Sequence, residues 1–104
     1  MSLKEIVTNL KLVEVVDGDG LDNYTTIELL HMIANSVIET GNTLPISLLF
    51  NIYYAGELPL LLVWEFLSRC YNEGSQKVKE CVAREAILVL HFLAVREMLD
   101  KAGY

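Results

Sequence analysis

Apolar residues recur at helical spacing along most of this chain, and in two stretches they leave hardly a polar face. Ser2-Leu3-Lys4-Glu5 has the S-x-x-E form of a capping box, and Leu3, Ile6, Val7, Leu10 and Val13 follow at helical intervals. The spacing predicts a first helix running to about Val16, although Lys11–Val16 alternates and also fits a strand. Asp17-Gly18-Asp19-Gly20 ends it, because aspartate favours turns and glycine tolerates positive φ. Thr25-Thr26-Ile27-Glu28 is a second capping box. It opens a helix to about Thr40 that carries Ile27, Leu30, Ile33, Ala34, Val37 and Ile38 on one face, with Gly41 in the C′ position.

The first dense stretch is Pro45–Leu67. Pro45 suits the first turn of a helix, Ile46–Ala55 follows, and Gly56 stops it. Pro59 restarts a helix with Leu60, Leu61, Leu62, Trp64, Phe66 and Leu67, ending near Asn72-Glu73-Gly74. Ser75 then caps a last helix to about Lys101, roughly 40 Å long at 1.5 Å per residue. That helix contains the second dense stretch, Ala86–Val95, apolar all round apart from His91 and flanked by charged turns. A helix apolar around its whole circumference is expected at the centre of a fold. The pattern therefore predicts one all-α domain over residues 1–104, a compact bundle of about five helices packed around a long C-terminal helix.

Composition sharpens this. Hydrophobic residues make up 53% of the 104, against the roughly 45–50% usual for a soluble domain. A folded monomer of 11.7 kDa exposes roughly 5,900 Å². The apolar surplus needs a sink, either a membrane or a partner surface. A membrane fits poorly. Ala86–Val95 is too short for the about 20 residues that span a bilayer, and Pro45–Leu67 is broken by Gly56, Glu57 and Pro59. The first residues lack a basic start and an apolar run, so a cytoplasmic protein is expected, and the Asn23-Tyr24-Thr25 sequon carries no weight.

Candidate chemistry is sparse. No nucleophile elbow, phosphate loop or dinucleotide fingerprint occurs, so no catalytic residue, cofactor or small-molecule substrate is expected. Cys70 and Cys81 lack C-x-x-C spacing and read as reduced, partly buried thiols. An EF-hand register from Asp17 through Asp19 to Glu28 lacks the ligand at position 5 and the glycine at position 6. Starting at Val15 instead loses the ligand at position 1. Glu28-x-x-His31 has di-iron spacing but no second copy, since Leu88 precedes His91 by three. No metal ligands are therefore assigned. His91 is expected as a neutral core histidine. Trp64, Phe50, Tyr53, Tyr54 and Phe66 read as core or as interface anchors.

Charge divides the chain. Residues 1–57 hold eight acids against two bases, whereas residues 58–104 hold six of each. Cations gather only at Arg69, Lys77, Lys79 and Arg84 around the turn at Gly74, diluted by Glu73, Glu80 and Glu85. These four are the candidate nucleic-acid contacts, with a solvated helical hairpin as the plainer reading.

Tyr24–Val37 (Y-T-T-I-E-L-L-H-M-I-A-N-S-V), followed by a long C-terminal helix, resembles the small all-helical subunit of archaeal type I-A CRISPR interference complexes. The likeness covers about a third of the chain and is one of size and pattern. It implies a non-enzymatic subunit of antiviral defence that packs beside the large subunit and helps hold a DNA strand. The acidity of this chain departs from that pattern and confines strand contact to Arg69, Lys77, Lys79 and Arg84. The sequence thus points to an assembly subunit whose partners are other proteins or copies of itself, with nucleic acid met through the complex. The alternatives are a helical adaptor or viral structural protein without a nucleic-acid role, and a calcium-responsive module using Asp17, Asp19 and Glu28.

Overall fold

A computed structural model describes residues 2–12 and 23–103. Among them are five helices, α1 (Leu3–Asn9), α2 (Thr26–Thr40), α3 (Leu44–Tyr54), α4 (Leu60–Glu73) and α5 (Gln76–Lys101). The all-α class and the five elements are those expected from the sequence.

Local chemistry sets the boundaries. The Thr25 hydroxyl accepts from Glu28 N–H at 3.2 Å, and the Glu28 carboxylate accepts from Thr25 N–H at 3.3 Å, closing a reciprocal box on α2. Gly41 ends that helix at φ 74. Pro45 occupies the first turn of α3, where a missing N–H costs nothing. Ser75 caps α5 by accepting from Val78 N–H. Between α4 and α5 the chain turns tightly at Gly74. A Cβ there would lie 2.4 Å from the Cys70 carbonyl oxygen and 2.6 Å from Val78 Cγ1, so no side chain fits.

The first helix is shorter than its periodicity suggests. It stops at Asn9, and Lys11 takes up the left-handed conformation at φ 56. Lys11 N–H donates to Thr8 O at 3.1 Å and Leu12 N–H to Val7 O at 3.2 Å, the two bonds of a Schellman close. Residues 13–16, for which helix and strand both fitted, lie outside the described residues.

The hub of the bundle is α4. Its stripe Val63, Phe66, Leu67 and Cys70 is buried, and it packs against α2, α3 and α5, while α1 lies on α2 and α3. The core gathers Ile6 and Val7, Ile33 and Val37, Ile46, Leu49 and Phe50, and Val78, Val82 and Val89 around that stripe.

The last helix is therefore placed differently from the expectation that the others surround it. Its first half packs on α4 and α3, and Val89 is its last buried residue. Phe92 and Leu93 are half-buried, and residues 94–103 are exposed. The accessible surface is 6641 Å², above the roughly 5,900 Å² of a monomer of this mass. The radius of gyration, 15.0 Å, likewise exceeds the roughly 13 Å of a compact 100-residue domain.

Candidate functional site

The side chains that made α5 look central are the ones solvent reaches. Ile87, Leu88, Leu90, Val95, Met98 and Leu99 are 46 to 70% exposed. Ala83, Ile87, Leu90, Ala94 and Met98 follow at intervals of four, three, four and four, which keeps them on one side of the helix. Val78, Val82 and Val89 define the opposite side, against the bundle. Leu88, Val95 and Leu99 lie on a second side, roughly 100–140° round the helix from that row. These are several exposed apolar side chains on one helix, not the single scattered ones usual on a protein surface.

Aromatic packing fixes where the strip leaves the body. The Phe92 ring meets Tyr54 edge-on at 4.9 Å between centroids and Tyr53 at 6.2 Å. Ser47 on α3 donates to the Glu85 carboxylate at 3.4 Å, holding the preceding turns. Leu93 still packs against the core, and among the described residues the ion pair beyond it, Lys101–Glu97 at 3.1 Å, is exposed and internal to the helix.

His91 is exposed on α5, contrary to the expected core position. The expectation followed from treating residues 86–95 as buried, and it fails for the same reason. Ile27 is likewise exposed, while Leu29 joins the α2 core face.

The four candidate nucleic-acid contacts do not form one patch. Arg69 is committed within the fold. Its guanidinium donates to Glu73 at 3.0 Å, lies 3.3 Å from His31 Nδ1, and reaches Asn35 Oδ1, which ties α4 to α2. Arginine is only a donor, so His31 Nδ1 accepts. Lys79 is half-buried, its ammonium 5.8 Å from the Tyr71 ring on α4. Lys77 and Arg84 are exposed and seven residues apart, which puts them on one side of α5. The structure thus leaves two of the four cations together.

Asp17 and Asp19 lie outside the described residues, and Glu28 is engaged in the α2 cap. Among the described residues no group of three or more His, Cys, Asp or Glu is arranged to hold a metal. Cys70 and Cys81 are free and buried, and burial pushes the Cys70 thiol up to about 11. Trp64 is half-buried and borders a shallow groove of about 210 Å³ with Leu67, Ser68, Tyr71 and Val82. A smaller cavity of about 50 Å³ lies between α2 and α4 beside Arg69 and Phe66. No helix among the described residues is long and apolar enough to cross a membrane.

Sequence reasoning missed Met98 and Leu99 as part of the strip, because the charges of Arg96, Glu97, Asp100 and Lys101 around them read as a polar end. Their spacing from Ala94 and Val95, four residues in each case, was the available signal. No family model, no curated protein and no solved structure matches the chain.

Proposed function

We propose that this chain is a non-enzymatic, cytoplasmic assembly subunit that works by protein–protein packing through the second half of α5. The observation that carries the reading is the uncovered row of Ile87, Leu90 and Met98, together with exposed Leu88, Val95 and Leu99 on a second side of the same helix. Fully burying such a side chain is worth about 1.5–3 kcal/mol, so finishing the burial of each half-exposed one yields about 1 kcal/mol. Six of them offset much of the roughly 4–15 kcal/mol that association costs in lost freedom. A globular chain gains nothing by leaving them in water.

The small subunit of an archaeal CRISPR interference complex is the concrete form of this reading that the Tyr24–Val37 resemblance suggests. In that form strand contact falls to Lys77 and Arg84, the two exposed cations that share a side of α5. Strand binding undiminished by Lys77→Glu with Arg84→Glu removes it.

The packing role is tested with the full chain carrying Ile87→Glu and Leu90→Glu. Both sites are exposed, so the urea midpoint is expected to stay within error of the parent. Sedimentation velocity should show the parent associating as its concentration rises and the variant remaining a monomer. A parent that sediments as a monomer at every concentration overturns the proposal.

A further inference from the structure

Arg69 hydrogen-bonds α4 to one turn of α2. Its Nη1 lies 3.3 Å from His31 Nδ1 and 3.5 Å from the His31 carbonyl oxygen, and its Nη2 donates to Asn35 Oδ1. Its Nε donates to Glu73 on its own helix at 3.0 Å. A guanidinium only donates and keeps its charge throughout the neutral range. The contact with Nδ1 therefore exists only while His31 is neutral, with its single proton on Nε2. We infer that this contact is a pH-operated tie between α2 and α4: neutral His31 accepts from Arg69, and protonated His31 lets go. The inference concerns the side of the bundle away from α5 and stands apart from the packing role.

Protonation puts a hydrogen where the lone pair was. Donor then faces donor, the bond is lost, and two cations repel in its place. His31 is exposed, so its ring has room to turn outward. Acids stand near it on both helices. Glu65 lines the same small cavity between α2 and α4 as His31 and Arg69. Glu28, whose carboxylate also closes the α2 cap, precedes His31 by three residues. Glu73 keeps its pair with Arg69 in either state. Arg69 thus falls back along α4 while the imidazolium turns towards Glu65. Buried apolar side chains such as Ala34 and Phe66 border the same cavity, so the fold persists in both states.

The other helices packed on α2 approach it elsewhere. α1 carries Lys4 and Glu5 and is followed by Lys11. That segment borders α2 at Leu29, Met32 and Ser36, roughly 100–160° round the helix from His31. α3 has no Asp, Glu, Lys, Arg or His, and its tyrosines, Tyr53 and Tyr54, meet Phe92 of α5. Imidazole ordinarily changes charge between pH 5 and 8, where carboxylate, ammonium and guanidinium groups do not. The other histidine, His91, is exposed on α5 and serves as an internal reference.

The experiment measures urea unfolding of the full chain and of its Arg69→Ala variant at pH 8 and pH 5. The loss of folding equilibrium constant caused by Arg69→Ala is expected to be about threefold larger at pH 8, the size of one partly exposed hydrogen bond. The comparison is repeated with His31→Gln in both chains, since that side chain accepts a hydrogen bond but does not titrate. There the loss should be equal at the two pH values. An equal loss at both pH values in the parent overturns the inference, and so does a pH-dependent loss that persists with His31→Gln. Nitrogen NMR of the unmodified chain provides a second arm that needs no variant to fold. At pH 8 the His31 proton should sit on Nε2. As pH falls, the Arg69 Nε–H signal should move with the same midpoint as the His31 ring and ignore that of His91. A proton on His31 Nδ1 at pH 8 overturns the inference, as does an Arg69 signal that stays fixed while His31 titrates.

Discussion

Tyr54, in the last turn of α3, meets Phe92 of α5 edge-on with 4.9 Å between ring centroids. The contact sits three residues past Val89, the last buried position of α5, and so marks where the bundle ends along that helix. Phe92→Ala removes a half-buried ring and its aromatic pairing. It should cost about 2 kcal/mol in urea unfolding, less than the 3–5 kcal/mol of a fully buried Phe. Hydrogen exchange should then quicken over residues 90–99 and stay unchanged in α2. Equal quickening across all helices would contradict the assignment of Phe92 as the boundary clamp.

Lys11 and Gly56 occupy the same position in two Schellman closes. Gly56 adopts φ 80 with no Cβ to obstruct it, whereas Lys11 holds φ 56 with a side chain. A left-handed L-residue costs roughly 1–2 kcal/mol, part of which glycine gives back as unfolded-state entropy. Lys11→Gly is therefore expected to stabilise the chain by about 0.5–1 kcal/mol in thermal or urea unfolding. A destabilised variant would show that Lys11 does something beyond ending α1.

Burial raises the Cys70 thiol to about 11, against a thiol value near 8.5 in an unfolded chain. The folded state therefore holds this proton more tightly. The resulting stability is fully present below about pH 8.5 and is lost as pH rises through about 11, with a slope of up to about 1.4 kcal/mol per pH unit. The urea midpoint should fall across that window, and less steeply in Cys70→Ala. Tyr54, also raised by desolvation, titrates in both chains and cancels in the comparison. Identical slopes would contradict the buried-thiol account.

What the sequence revealed and what it hid follow from the range of each force. Thr25 with Glu28, Gly41, Pro45, Gly56 and Ser75 act within one turn of chain, and their helix ends are legible residue by residue. The end of α1 was not, because it depends on Lys11 accepting a conformation that only glycine advertises. Residues 86–95 illustrate the deeper limit. An all-apolar circumference says that burial is needed, but it carries no record of which chain provides it. The structure instead leaves α5 beyond Val89 outside the buried core, and His91 is exposed with it. Arg69 shows the converse for charge. A cation that reads as available from its neighbours Ser68 and Cys70 is spent on Glu73, His31 and Asn35 across a helix boundary.

The claim that protein covers the outer half of α5 is tested most directly by hydrogen exchange on the unmodified chain at a series of concentrations. Amides at Ile87, Leu90, Val95 and Met98 should become steadily more protected as concentration rises, while those of Ile33 and Val37 in α2 do not change. Protection at the four α5 positions that is the same at every concentration would contradict the account.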